Sequence, residues 1–408
     1  MPPRPFYAVW EITLACNLAC RHCGSRAGKA RDRELATDEA LGVVDGLARL
    51  GVEEVTLIGG ESYLREDWDV ILRAISDRGM RASITTGGRG LTPERALRAK
   101  AARVTSVSVS VDGLEQTHDI LRGVRGSFRA ALEALDNLRA AAIRVTANTQ
   151  VSRLNFGELD GLLDVLLEKG IEAWQVQITA ALGRAADWPD MLLQPYDVLE
   201  LLPKVAALRR RCRDAGVTLE PGTSIGYYGP YETEIRHSRD GGPTHWTGCG
   251  AGCSVIGIES DGTFKGCPSL PTKEYAAGNL LEQPMEKIWN ESPVLEKHRS
   301  SSGADLWGFC KTCYYADVCR GGCTFTAHSF LGRPGNMPYC WHRADALRSR
   351  GVRETLVRVR PAPGKPFDHG LFELREEPIP DELTPLEARR EAILGTVPKM
   401  PATRIRWS

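Results

Sequence analysis

Six short apolar or β-rich runs alternate with amphipathic stretches along the first half of the chain, and this alternation leaves few folds open. The runs are 8–13, 55–58, 82–86, 107–111, 145–151 and 174–178. Between them Leu41, Val44 and Leu47 recur at helical spacing behind Thr37, a candidate N-cap. Trp68, Ile71, Leu72 and Ile75 repeat the spacing, as do Phe128, Ala131, Leu132 and Leu135, and then Leu159, Leu162, Leu163 and Leu166. Strand alternating with helix predicts a parallel sheet with right-handed crossovers. Six strands are too few for the closed eightfold barrel. The expected fold class is therefore α/β, a partial (β/α)6 barrel.

The strands are not uniformly apolar, as parallel strands buried on both faces would be. Val107, Val109 and Val111 share one face, and Ser108, Ser110 and Asp112 the other. Trp174, Val176 and Ile178 oppose Gln175 and Gln177, and Val145, Ala147 and Val151 oppose Thr146, Asn148 and Gln150. Ser83 and Thr85 continue the polar face, with Glu11 and Thr13 if Trp10 and Ile12 face outward. Helices must cover the apolar face, so the polar face is expected to look into the barrel as a wet, hydrogen-bonding cavity. The exposed face of an antiparallel sheet is the alternative, disfavoured by the intervening helices.

Directly after the first run, Cys16, Cys20 and Cys23 fall within eight residues. Three thiolates can converge on one metal centre and leave a coordination position open, which suits chemistry more than structure. Eleven of the twelve cysteines lie in two clusters, 16–23 and 249–340, and only Cys212 stands apart, read as a buried small hydrophobe. The chain has 408 residues, is not cysteine-dense and shows no secretory signal, so a cytoplasmic location and metal ligation are expected over disulfides. Lys+Arg equals Asp+Glu, giving no footing for general nucleic-acid binding or a membrane surface, and no apolar run is long enough to span a membrane. Gly59-Gly60-Glu61 follows the second run: the glycines let backbone approach a ligand, and the carboxylate can bind a cation, although Gly-Gly after a strand is commonly a turn. The eight cysteines Cys249, Cys253, Cys267, Cys310, Cys313, Cys319, Cys323 and Cys340 count as two sets of four, for iron–sulfur clusters or zinc.

Cys16-x3-Cys20-x2-Cys23 after the first strand, with Gly-Gly-Glu after the second, resembles the radical S-adenosyl-L-methionine (SAM) superfamily. The resemblance implies that Cys16, Cys20 and Cys23 hold a 4Fe–4S cluster whose open iron is chelated by the amino and carboxylate groups of SAM. Gly59, Gly60 and Glu61 would hold the methionyl amine. One electron would then cleave the sulfonium C–S bond, and the 5′-deoxyadenosyl radical would take a hydrogen from substrate. Ser62 stands where the family often has proline, and His22 where an aromatic residue is usual; His22 would stack on adenine or fill space. Ser110-Val-Asp112-Gly113, with His118-Asp119 and Arg122-Gly123, resembles the fourth-strand stretch of peptide-modifying members. Ser110, Arg122 and Asn148 are then candidate ribose or carboxylate contacts, a solvated loop arginine being the alternative for Arg122.

Cys310-x2-Cys313-x5-Cys319-x3-Cys323, with Gly262-x4-Cys267 before it and Cys340 after, resembles the SPASM extension of radical SAM peptide maturases. It implies one auxiliary cluster on Cys249, Cys253, Cys267 and Cys323, and another on Cys310, Cys313, Cys319 and Cys340, making three 4Fe–4S clusters with SAM. The organisation expected is a barrel over 1–215, a SPASM domain over 216–345 and an extension over 346–408. Within the extension only 383–393 is periodic, so it is read as a strand plus an extended arm, or a partly disordered solvated tail. A helix with a Pro203 kink is expected over 196–208. The expected function is maturation of a ribosomally made precursor peptide by crosslinking, epimerisation or splicease-type excision. An external electron donor is needed, and, because only fifteen residues precede Cys16, leader recognition is expected to fall to a separate protein or to the tail. No acid–base residue is nominated, and the loop residues Tyr227, Tyr228 and Tyr231 read as packing. The alternatives are a sulfatase-maturase-like or small-molecule dehydrogenase, and a non-catalytic electron carrier.

Overall fold

All six expected strands form, each ending within two residues of its expected bounds. They are β1 (Tyr7–Glu11), β2 (Glu54–Ile58), β3 (Arg81–Thr86), β4 (Ser106–Ser110), β5 (Arg144–Val151) and β6 (Ala173–Ile178), parallel and adjacent in chain order. The structure is a computed structural model and describes residues 3–222, 224–236, 244–381 and 384–396.

The crossovers are α1 (Thr37–Leu50), α2 (Trp68–Asp77), α3 (Pro93–Ala101), α4 (Glu115–Arg122), α5 (Ser127–Ala140) and α6 (Leu159–Glu168). Thr37 does not cap α1. Ala36 holds that position, its N–H donates to the Glu39 carboxylate at 2.8 Å, and the Thr37 hydroxyl donates to Asp67. The carboxylate of the third helical residue thus takes the N–H of the cap residue, the half of a capping box that needs no hydroxyl at the cap. Helix α3 carries little apolar periodicity, burying only Ala96 and Ala99, and starts on Pro93 behind the Thr92 cap.

The strand faces divide as expected. Val107 and Val109, Val145 and Ala147, and Trp174 and Val176 are buried beneath the helices, while Ser108, Ser110, Asn148 and Gln177 are half-buried on the inner side. Tyr7, Thr56 and Ser83 link hydroxyls across β1, β2 and β3 at 2.8 and 2.7 Å. Thr149 is the polar exception on the apolar face. Its hydroxyl donates to Val111 O and accepts from Trp174 Nε1, so it is buried without an unmet hydrogen bond.

The sheet runs on at both edges. Helix α7 (Val198–Asp214) continues through Pro203 into β7 (Thr218–Pro221), which lies parallel beside β6 and so carries the sheet past residue 215. At the other edge β8 (Val255–Ile258) lies parallel beside β1, followed by the antiparallel strands β9 (Thr263–Lys265) and β10 (Ala276–Asn279). The order is β10-β9-β8-β1-β2-β3-β4-β5-β6-β7. Glu11, on the inner face of β1, ties this edge together through Arg31, which also pairs with Glu259.

The extension over 346–408 is more structured than its composition suggests. Strands β11 (Val352–Arg360) and β12 (Leu371–Pro378) form an antiparallel hairpin. The buried Arg343 guanidinium meets Glu354 with two bonds, 2.5 and 2.7 Å, and also donates to Asn336 and Met337 O. Beyond the hairpin Arg389 pairs with buried Asp197 at 2.6 Å, and Arg390 with Glu158 at 3.0 Å. These partners are separated from the tail by long stretches of sequence, which is why local pattern does not announce them. Leu383 and residues 397–408 lie outside the described residues. Among the described residues no helix is long and apolar enough to cross a membrane.

The hairpin's attachment is testable. Glu354→Ala leaves the Arg343 charge buried without its carboxylate, a loss of about 3–5 kcal/mol for a buried pair. We expect a lowered melting temperature and faster proteolysis within 352–378, whereas Glu354→Asp retains most of the stability.

Candidate functional site

The end of β1 carries the first three cysteines. Cys16 N donates to Gly28 O at 3.0 Å and Gly28 N to Leu14 O at 2.9 Å, closing residues 14–28 into a ring. Cys16 Sγ accepts from Leu18 N and Cys23 Sγ from Ala27 N, both at 3.4 Å, and Cys20 Sγ accepts from Arg122 Nη1 at 3.6 Å. Arg184, from the segment after β6, donates through Nε to Cys20 O at 2.7 Å and through its backbone to Cys23 O at 3.0 Å. Cys16 and Cys20 pack with Leu14, Leu18 and Ala27, and Cys23 and Val124 border this group. Burial pushes the Cys16 thiol well up, with Glu61, Cys20 and Cys23 adding to the rise; burial also raises Cys20, against Arg122. As thiolates, groups so placed need a cationic centre beside them, and an iron–sulfur cluster supplies one. The donor set therefore fits such a cluster.

Gly59 and Gly60 end β2 against this ring. Gly60 N donates to Thr13 O at 2.9 Å and Glu61 N to Ala15 O at 2.8 Å. A Cβ on Gly60 would stand 1.9 Å from Ala15 O, and one on Gly59 2.6 Å from Thr13 O. The close approach expected toward a ligand is thus made, in the chain itself, to the backbone that carries Cys16. Glu61 is buried and accepts from Gly87 N at 2.6 Å and from the Thr86 hydroxyl. Burial raises its pKa. A carboxylate has about four acceptor directions, so room remains for an ammonium group. Ser62, at the position of the family's proline, is fully buried with its hydroxyl unpartnered.

A carboxylate at the end of β4 organises the opposite side. Asp112 is fully buried, 2.6 Å from Arg122 Nη2 and 3.1 Å from His22 Nε2, and accepts from Gln150 N at 2.9 Å. Burial alone would raise its pKa, but Arg122 and His22 outweigh that and hold it well below the carboxylate range. Asp112 N donates to His118 Nδ1 at 3.0 Å, and burial and Arg122 push His118 down to about 3. Arg122 is therefore not a solvated loop arginine: it ends α4, is 8 % exposed, and bridges Asp112 to Cys20. His22 is 5 % exposed and turned to Asp112. Ser110, at the end of β4, and Asn148, within β5, stand opposite each other in register, both half-buried.

Asp112 and Arg184 were not among the expected site residues. The signal for Asp112 was a carboxylate on the same face as Ser108 and Ser110; Arg184 carries none in its neighbourhood. A third element also reaches the ring. The β11–β12 connection places Phe367 N on Gly24 O at 3.1 Å, Asp368 O on Gly183 N at 2.7 Å, and the Asp368 carboxylate on Arg26 Nε at 2.8 Å.

The later cysteines gather into two groups. Gly252 N donates to Gly266 O at 2.7 Å, drawing 249–253 onto the turn that carries Cys267. Burial pushes Cys267 up to about 12, with Cys249 and Cys323 contributing, and Cys253 is raised by burial and by Cys249. Cys310, Cys313, Cys319 and Cys340 line one small cavity of about 20 Å³ with Tyr227, Tyr228 and Tyr315. Burial, then Cys310 and Cys313, push Cys319 up to about 12. Tyr228 stacks on Tyr315 with 4.0 Å between ring centroids, and Tyr231 packs edge-on to Trp341. All twelve cysteines are free thiols, and Cys212 is buried in α7, apart from both groups.

Residues 10–166 match the Radical SAM superfamily, and residues 249–314 match SPASM, the iron–sulfur cluster-binding domain. An AdoMet-dependent heme synthase of Methanosarcina barkeri is 31 % identical over 84 % of this chain and 98 % of its own. The mycofactocin maturase MftC of Mycobacterium tuberculosis is 30 % identical over 92 % of this chain and 91 % of its own. Streptococcus suis SuiB bound to the precursor peptide SuiA shares the fold, with a TM-score of 0.63 at 17 % identity over 82 % of this chain and 75 % of that one. Ring, glycine turn, grouped thiols and barrel thus agree with these matches, and the chain belongs to the radical SAM superfamily, as an enzyme with a SPASM iron–sulfur domain.

Proposed function

We propose that this enzyme matures a ribosomally made precursor peptide. In this reading Cys16, Cys20 and Cys23 hold the cluster that engages SAM. Cys249, Cys253, Cys267 and Cys323 hold one auxiliary 4Fe–4S cluster, and Cys310, Cys313, Cys319 and Cys340 another. Cluster and SAM together supply hydrogen-abstracting power when bound. Glu61 receives the methionyl ammonium, and Ser110 and Asn148 offer hydrogen bonds to the ribose. Asp112 keeps Arg122 and His22 in place behind the ring. The connection 364–370 closes one side of the ring and limits water at the reacting centre. An external reductant supplies the electron, and a separate protein presents the peptide leader.

The observation that carries this reading is the run of hydroxyls and amides along the inner face of β4 to β6, where Arg144, at the start of β5, is paired with Glu172. Ser110, Asn148 and Gln175 stand in one register, with Gln150 and Gln177 in the next. Amides and hydroxyls in ranks suit the donors and acceptors of a peptide backbone. A second reading, action on a tetrapyrrole, is favoured by the relative named AdoMet-dependent heme synthase and by a cavity of about 720 Å³ bordered by Arg333, Arg360 and Lys365, where carboxylates could be held. The deciding measurement is 5′-deoxyadenosine release by the reduced enzyme. We expect release only with a cognate short peptide, its mass change then naming the reaction; release with Fe-coproporphyrin III and not with peptide overturns the first reading.

Two variants test the site. Gly60→Ala drives a methyl group into Ala15 O, and iron content is expected to fall by one cluster's worth while the other two are retained. Asp112→Asn keeps the shape but removes the charge that balances Arg122. We expect about 10–100-fold slower 5′-deoxyadenosine formation, typical of losing a partner behind a metal ligand, with auxiliary iron unchanged.

A further inference from the structure

We propose that Glu274, His328 and His369 form a binding site for one divalent transition-metal ion, of the zinc class, separate from every cysteine set. The three residues come from different segments. Glu274 lies on the short helix Thr272–Tyr275, His328 on the helix Thr324–Leu331, and His369 in the connection between β11 and β12. One ligand atom from each lies within 4.8 Å of the others.

The hydrogen bonds around the two rings are those of metal ligands. His369 Nδ1 donates to Gly370 O at 2.6 Å, which leaves the lone pair on Nε2. That Nε2 is 3.9 Å from Glu274 Oε1, too far for a hydrogen bond and suited to an ion between them. His328 Nδ1 lies 2.9 Å from the Tyr275 hydroxyl, while its Nε2 is buried without any partner. The residue is 5 % exposed, so that orphan nitrogen needs an explanation, and a metal ion provides one. The rings meet edge to face, with centroids 4.8 Å apart at 89°.

Ligand atoms about 2.0–2.1 Å from a zinc ion lie roughly 3–4 Å from one another, so a side-chain rotation of about an ångström completes the set. At His369 the Gly370 carbonyl fixes the tautomer, as partners behind metal-bound histidines do, and at His328 the Tyr275 hydroxyl can accept from Nδ1 and leave Nε2 for the ion. Two imidazoles and a carboxylate leave a fourth position. Glu274 and His369 border the cavity of about 720 Å³, into which that position opens. The bound ion would staple the β11–β12 connection to the SPASM segment. Since the same connection rests on Gly24 and Arg26, it would also fix the wall beside the first cysteine ring.

The test uses the full chain, loaded with its clusters under anaerobic conditions, freed of loosely held metal and dialysed against zinc alone. We expect one zinc per chain, with an X-ray absorption edge spectrum showing imidazole and oxygen ligands and no sulfur. The double variant H328Q/H369A is expected to bring zinc to background while iron content and circular dichroism match the parent. Zinc should also slow hydrogen–deuterium exchange of the backbone amides over 364–370 in the parent and not in the variant. Absence of zinc uptake, sulfur in the zinc ligand shell, or equal uptake by the variant overturns the proposal.

Discussion

The contact on which the site depends is the buried pair between Asp112 and Arg122. A guanidinium enclosed in a barrel is costly unless a carboxylate and further acceptors meet it. Here the carboxylate follows β4 by two residues and the guanidinium ends α4, so the pair is set by the barrel framework before any cofactor is considered. Once set, it offers one arm to Cys20, and the same carboxylate draws His22 inward. The eight residues from Cys16 to Cys23 are thereby tied to the end of a strand. The cluster ring does not have to be ordered by its metal alone.

Much of this was legible in the sequence, and for stated reasons. The strands announced themselves by alternation, because one face meets helices and the other a polar interior. The cysteine groups could be sorted by resemblance, and Cys310, Cys313, Cys319 and Cys340 do border one cavity. The glycines of 59–61 were visible as a special turn, although what they approach is backbone. Legibility stopped where partners are remote in sequence. For Arg122 the sequence leaves a cofactor contact and a solvated loop arginine both open, and its buried partner Asp112 shows only once β4 and α4 are placed. Asp368 looks like any polar tail residue, yet it meets Arg26 from 342 positions away. Helix α3 escapes the apolar pattern because alanines carry its buried face, and the carboxylate at the start of α1, Glu39, lies two residues beyond Thr37.

The extension shows how a segment of poor periodicity can be well held. Its strands pair with each other, and its charges pair with the rest of the chain: Arg389 with Asp197 and Arg390 with Glu158 of the barrel, and Glu354 with Arg343 of the helix before the hairpin. None of these needs an apolar stripe. Charged side chains that look solvated in composition become anchors when the opposite partner is already buried.

The placement of β8 has a consequence for how the chain is made. Strand β1, which leads into the cluster ring, is flanked by β2 on one side and by β8 on the other, with Tyr7 opposite Val255. Those two residues are 248 positions apart, counted from 7 to 255. At a synthesis rate of about 5–20 residues per second, the ribosome needs roughly ten to fifty seconds to travel between them. Throughout that interval one edge of the ring-bearing strand is unpaired and open to other strands. The nascent chain therefore spends its most aggregation-exposed period with the future iron site accessible, and the sheet closes around that site only when the first of the later cysteines emerge.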